Sequence, residues 1–225
     1  MVMVLALQWS VSSASNSPEP HRILVFGDSL SAAHGIDADA GWVVLLEQRL
    51  AERDEPWEVR NASVGGETTA GGRTRLPDLL DTFQPDVVIL ELGGNDGLRG
   101  LSLRAMRQNL EAMVDSIAAT GANVLLVGIE IPPNYGPAYT QRFSTVFADL
   151  AAARDLAFVP FLLEGVALEP GMMLADGIHP SVEGQSRILE NVWEVLEPLL
   201  DYSERDARLP VDFEGTESQA TDLHP

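Results

Sequence analysis

Five short apolar runs are spaced along the chain, and between them the apolar residues recur at the three- and four-residue steps of a helix. The runs are "ILVF" at 23–26, "WEVRNA" at 57–62, "DVVILEL" at 86–92, "NVLLVGI" at 123–129 and the weaker "AFVPF" at 157–161. Helical patterns cover Trp42–Arg53, about Gly71–Phe83, Ser102–Thr120, about Pro137–Arg154 and Ser181–Leu200. The third of these sets Leu103, Met106, Leu110, Met113, Val114 and Ile117 on a single stripe. Several runs are apolar at every position, as a parallel strand covered on both faces must be. Strand and helix in strict alternation predict an α/β fold, a three-layer α/β/α sandwich around a central five-stranded parallel sheet. Open sheets of this kind bind their ligands beyond the carboxyl ends of the strands. The residues that follow each run are therefore where function is to be sought.

Charge narrows the partners. The 225 residues hold 14 Lys+Arg, all of them arginine, against 34 Asp+Glu, a net charge of −20. Such a surface repels nucleic acid and anionic membranes. The chain has no cysteine, which excludes disulfides, thiolate metal ligands and a cysteine nucleophile. Residues 1–20, "MVMVLALQWSVSSASNSPEP", join an apolar start at Met1–Ala6 to a small-residue Ser-Ala-Ser stretch, as in an export signal. No Lys or Arg precedes Arg22, so the segment reads as signal-like or disordered. Residues 203–225 are polar, acidic and aperiodic, and read as a disordered tail. The body, 21–202, is long enough for one domain with one core. No stretch reaches the ~18 consecutive apolar residues of a membrane span. The expected location is periplasmic or secreted where the signal-like segment acts, and cytoplasmic otherwise.

Four polar or glycine-rich segments fall at the ends of the expected strands or beside the last helix. They are Gly27-Asp28-Ser29-Leu30-Ser31, "ASVGGETTAGG" from Ala62, "GGNDG" at 93–97 and "ADGIHPS" at 175–181. Each has a plain structural reading alone: Ser29 as a helix cap, Gly65-Gly66 and Asn95-Asp96 as turns, His179 as a loop residue. Together they supply what serine catalysis requires. It needs a hydroxyl, an imidazole to accept the proton, a carboxylate to hold that imidazole, and fixed donors for the oxyanion. Of His21, His34, His179 and His224, only His179 sits in a loop near the strand ends, three residues after Asp176. A tight turn lets Asp176 reach Nδ1 and leaves Nε2 for Ser29. The backbone N–H of Ser29, an N–H from the Gly65-Gly66 turn and the Asn95 amide remain as donors. The G-x-S-x-G elbow is absent, because Ser31 stands where its second glycine would be, and no H-E-x-x-H occurs. No metal and no cofactor is expected.

"FGDSLS", "GG" at 65–66, "GGND" at 93–96 and "DGIHP" at 176–180, in this order, resemble the four blocks of the GDSL, or SGNH, hydrolases, over about residues 22–200. "ELGGNDGLRG" at 91–100 and "PPNYG" at 132–136 resemble the bacterial acyl-thioesterase, lysophospholipase and arylesterase branch. The resemblance implies the flavodoxin-like SGNH version of the sandwich. It implies Ser29 as nucleophile, Asp176 and His179 as its partners, and Ser29, Gly66 and Asn95 as the oxyanion hole. Gly66 is chosen over Gly65 because "NASVGGET" is similar to the family's second block. Ile131 is implied as a substrate contact. The implied partner is a small acyl ester or thioester. Two other readings stay open on the residues alone: an esterase removing acetyl groups from carbohydrate, and a flavodoxin-like phosphate or flavin binder using Ser29 and Ser31.

Overall fold

The computed structural model describes residues 19–207, with side chains as far as residue 201. Strands β1 (His21–Gly27), β2 (Trp57–Asn61), β3 (Val87–Glu91), β4 (Asn123–Val127) and β5 (Ala157–Val159) form one sheet in the order β2-β1-β3-β4-β5. Every pairing is parallel, as expected from the apolar runs. The helices are α1 (Trp42–Leu50), α2 (Thr69–Phe83), α3 (Gly94–Leu98), α4 (Leu103–Ala118), α5 (Pro137–Arg154) and α6 (Val182–Ala207).

The two-residue period of β1 divides the core. Leu24 and Phe26 pack with Leu76, Leu110 and Phe147 from α2, α4 and α5. Ile23 and Val25 turn to the other face and pack with Trp42, Leu46 and Val192 from α1 and α6. The sandwich thus follows from strands with no polar face. On α4, Met106, Leu110, Met113, Val114 and Ile117 are buried, each worth about 1.5–3 kcal/mol relative to exposure. The Ser102 hydroxyl accepts from Ala105 N–H at 3.3 Å and starts that helix; Thr68 does the same for α2 by accepting from Gly71 N–H.

Three details differ from the sequence reading. The "GGNDG" segment enters a short helix, α3, from Gly94, where Asn95-Asp96 alone reads as a turn. The chain after β1 runs through turns from Asp28 to Ile36, so Ser29 caps no helix. Helix α6 passes residue 202 and runs to Ala207, the last described residue, since neither glycine nor proline interrupts Leu200–Ala207. The signal-like and tail readings fall, apart from residues 19–20 and 203–207, outside the described residues. No helix among the described residues is long and apolar enough to cross a membrane.

The order β2-β1-β3 reverses the direction in which successive strands are added to the sheet, between β1 and β3. A crevice opens there beyond the strand ends, because successive connections leave toward opposite faces. Ser29 follows β1, and Asn95 follows β3.

Candidate active site

Strand β1 stops at a glycine for a steric reason. Gly27 is in register with Glu91 of β3, and a Cβ at 27 would lie 2.5 Å from Glu91 Oε2. Glu91 is fully buried, and its Oε2 accepts from Asp28 N–H at 3.2 Å and from Ser31 Oγ at 2.8 Å. Its Oε1 has no partner among the described residues. Burial, and then the neighbouring Asp28, raises the Glu91 carboxyl well above its ordinary range. Ser31 therefore points into the core rather than toward a ligand, which removes half of the phosphate-binding reading.

Asp28 is 2 % exposed and braces two segments. Its Oδ1 accepts from Leu30 N–H at 3.1 Å, and its Oδ2 accepts from Asn95 Nδ2 at 3.0 Å. Burial pushes its carboxyl up to about 6, against the opposing pull of those donors. One amide hydrogen of Asn95 is used in this bond, and the second remains for the cavity that Asn95 lines. Asp28 is thus a brace under the turn, although it adjoins Ser29 in sequence.

Asp176 shows the opposite behaviour. Its Oδ1 accepts from the N–H groups of Ile178 and His179, at 2.9 and 3.0 Å, and its Oδ2 lies 2.7 Å from His179 Nδ1. The His179 N–H, the His179 ring and then the Ile178 N–H hold this carboxyl well below the ordinary carboxylate range. An ionised Asp176 only accepts, so Nδ1 carries the ring proton and Nε2 is left as an acceptor. Nε2 lies 2.9 Å from Ser29 Oγ. The loop is clipped by Leu174 N–H to His179 O, Ser181 N–H to Met172 O and an antiparallel bridge between Met173 and Pro180. The spacing D-x-x-H works because Asp176 closes a turn on its own loop before reaching the ring.

The glycine turn is fixed from α3. Gly66 has φ +77°, a left-handed backbone that favours glycine, and its carbonyl accepts from Arg99 Nη2 at 2.9 Å. Buried Asp96 accepts from Thr69 N–H at 2.8 Å and from Thr69 Oγ1 at 2.6 Å, tying α3 to the start of α2. Ser29, Gly66, Asn95 and His179 all line one cavity of about 1060 Å³. Ile131 and Met173 lie on its wall too, Ile131 only 6 % exposed and shared with the core; Met172 is partly buried against the core. The structure thus brings Ser29, Gly66, Asn95, Ile131, Asp176 and His179 to one place.

It also adds residues that the sequence reading missed. His34, which the sequence reading does not place near the strand ends, lines the same cavity with its ring centroid 4.4 Å from that of His179. Its N–H donates to Ser29 O at 3.2 Å. The turn achieves this through left-handed residues on both sides, Ala33 at φ +55° and Gly35 at φ +79°. Glu91 had a signal available, a lone carboxylate inside an apolar strand. Arg99 had none.

Esterase TesA of Pseudomonas aeruginosa is 54 % identical over 178 residues, which cover 79 % of this chain and 89 % of that protein. Thioesterase 1/protease 1/lysophospholipase L1 of Escherichia coli K12 is 39 % identical over 180 residues, 80 % of this chain and 85 % of that one. The crystal structure of the psychrotrophic esterase EstA from Pseudoalteromonas sp., inhibited by monoethylphosphonate, superposes with a TM-score of 0.76 at 35 % identity. That likeness covers 80 % of this chain and 99 % of EstA. The model of the GDSL-like lipase/acylhydrolase family matches residues 25–187, and the chain belongs to that family.

Proposed function

We propose that the protein is a serine esterase, hydrolysing carboxylic esters and thioesters of acyl substrates through Ser29, His179 and Asp176. The observation that carries this reading is the unbroken chain of contacts from Ser29 Oγ to His179 Nε2 at 2.9 Å and from His179 Nδ1 to Asp176 Oδ2 at 2.7 Å. The relatives named esterase and thioesterase support it from outside.

In this mechanism Ser29 Oγ attacks the acyl carbonyl carbon while His179 Nε2 takes the hydroxyl proton. Asp176, kept ionised by its three donors, holds the ring and offsets the imidazolium charge. The oxyanion forms where the N–H groups of Ser29 and Gly66 and the free Nδ2–H of Asn95 converge. Collapse of the tetrahedral adduct breaks the bond to the leaving oxygen or sulfur, which departs with the proton from His179. Water then attacks the acyl-enzyme, giving its proton to His179, and the second collapse returns that proton to Ser29 and frees the acid. The acyl chain lies along Ile131, Phe161 and Met173 on the cavity wall. A wall of aliphatic and proline side chains favours an acyl chain over the sugar ring of an acetylated carbohydrate.

A nitrophenyl ester chain-length series on the parent protein and on Ser29→Ala tests the proposal, together with covalent labelling by a fluorophosphonate. The parent turns over and is labelled once; Ser29→Ala does neither. Full turnover by folded Ser29→Ala refutes the assignment. Export belongs to the same proposal, and amino-terminal sequencing of protein recovered from the periplasmic fraction tests it.

A further inference from the structure

A parallel sheet sorts its connections: those leaving strands emerge at one end, and those returning to strands emerge at the other. The large apolar side chains that stay exposed among the described residues are Val64, Leu101, Tyr135, Leu168, Ile178 and Val182. All six belong to connections that leave β2, β3, β4 or β5, or to the first residue of α6. The returning connections, "AERDEP" at 51–56, "QPD" at 84–86, "ATGA" at 119–122 and "DL" at 155–156, contribute none. The exposed apolar surface is thus confined to the end of the molecule where the cavity opens. Leu168, 96 % exposed, and Ile178 belong to the cavity wall and to this rim at once, so the two surfaces are continuous.

The charge on the same face selects what it meets. The connections leaving the sheet expose Asp37, Asp39, Glu130, Glu164, Glu169 and Asp176 against one exposed arginine, Arg99. An anionic lipid surface is repelled by such a rim. A zwitterionic surface whose outermost group is a quaternary ammonium meets it with the complementary sign.

We propose that this rim is a docking face for the surface of aggregated choline-headed amphiphiles, micelle or bilayer, with the six apolar side chains entering the headgroup boundary. The proposal rests on the esterase reading and adds the physical form in which substrate is met. Docked in this way, the cavity opens toward the acyl region, and a chain enters without crossing water. Side chains that are, apart from Leu168, half-buried, and an opposing field for anionic lipids make this a weak, reversible association rather than anchoring.

The test uses the full chain carrying Ser29→Ala, so that vesicles stay intact, in co-sedimentation with phosphatidylcholine vesicles. Leu101→Glu with Val182→Glu removes two rim side chains that do not line the cavity. The expected result is sedimentation with phosphatidylcholine that falls about tenfold in the double variant and falls again as phosphatidylglycerol replaces phosphatidylcholine. Absence of sedimentation, an unchanged double variant, or tighter binding to phosphatidylglycerol overturns the proposal. So does a dimer in light scattering that the double variant abolishes while vesicles go unbound, because the rim is then a self-association face. In the Ser29 background, the double variant should hydrolyse a short soluble ester at the parent rate. Loss of that activity in the parent itself sinks the esterase reading separately.

Discussion

Asn95→Ala tests the site where geometry and chemistry are most tightly joined. The Asn95 amide has two hydrogens; one goes to Asp28 Oδ2 at 3.0 Å, which fixes the side chain and leaves the other facing the cavity. A donor placed there meets the oxyanion but not the planar carbonyl, so its loss appears in kcat and leaves KM nearly unchanged. Removing one such donor costs about 10²–10³ in kcat, or about 2.7–4 kcal/mol of transition-state stabilisation. Stability falls as well, because Asp28 loses a hydrogen bond to a charged group, a contribution of about 1.5–3 kcal/mol. Asp28 softens that loss where it can take up a proton, and its carboxyl already sits at about 6. The destabilisation should accordingly be smaller at pH 5 than at pH 8. The assay is steady-state hydrolysis of a soluble nitrophenyl ester at pH 8, with circular dichroism to establish folding and urea melts at both pH values. Asn95→Asp retains the shape but sets an acceptor against Asp28 Oδ2, and should do worse than alanine on both counts. A folded Asn95→Ala whose kcat stays within about threefold of the parent refutes the oxyanion assignment.

His34→Ala removes the ring packed on His179 and is expected to lower kcat about tenfold at unchanged KM, with His34→Phe restoring most of it, both read from the same ester assay. A phenylalanine variant as slow as alanine denies the packing role. Asp28 and Glu91 are both raised in the folded state, so the stability they contribute is complete below about pH 4 and is lost as pH rises through the Asp28 value of about 6. Glu91→Gln removes one of the two titrating groups, and the fall in Tm between pH 4 and pH 7 at fixed ionic strength should shrink; an unchanged slope counts against the buried pair. The acidic rim predicts that kcat/KM for acyl-CoA at low salt lies below that for a nitrophenyl ester of equal chain length and recovers as salt is added. A salt-independent ratio removes electrostatics as the cause.

Much of this architecture is legible because the residues that build it act locally. The apolar runs give the sheet, and the stripe from Leu103 to Ile117 gives α4, since burial on both faces leaves no other pattern available. Asp176 and His179 are readable for the same reason: their contact closes within one loop. What escaped depends on distant pieces meeting. His34 reaches His179 only because two left-handed residues fold the turn back, and nothing in "SAAHG" announces a positive φ at Ala33. Arg99 reaches the Gly66 carbonyl across thirty-three positions of sequence. Glu91 acquires meaning only from register, which sets it opposite the glycine that makes room for it. The "GGNDG" segment becomes helical although glycine resists helix, because Asp96 is tied to Thr69.

The sheet's polarity has a practical corollary. Strand β1 begins at the end remote from the cavity, and α6 begins beside His179 and carries the chain back for 26 residues, roughly 39 Å at 1.5 Å each. A tether, bead or fused domain attached before His21 or after Ala207 would hang from the rear of the enzyme. Immobilised that way, the molecule should keep its mouth clear for incoming substrate.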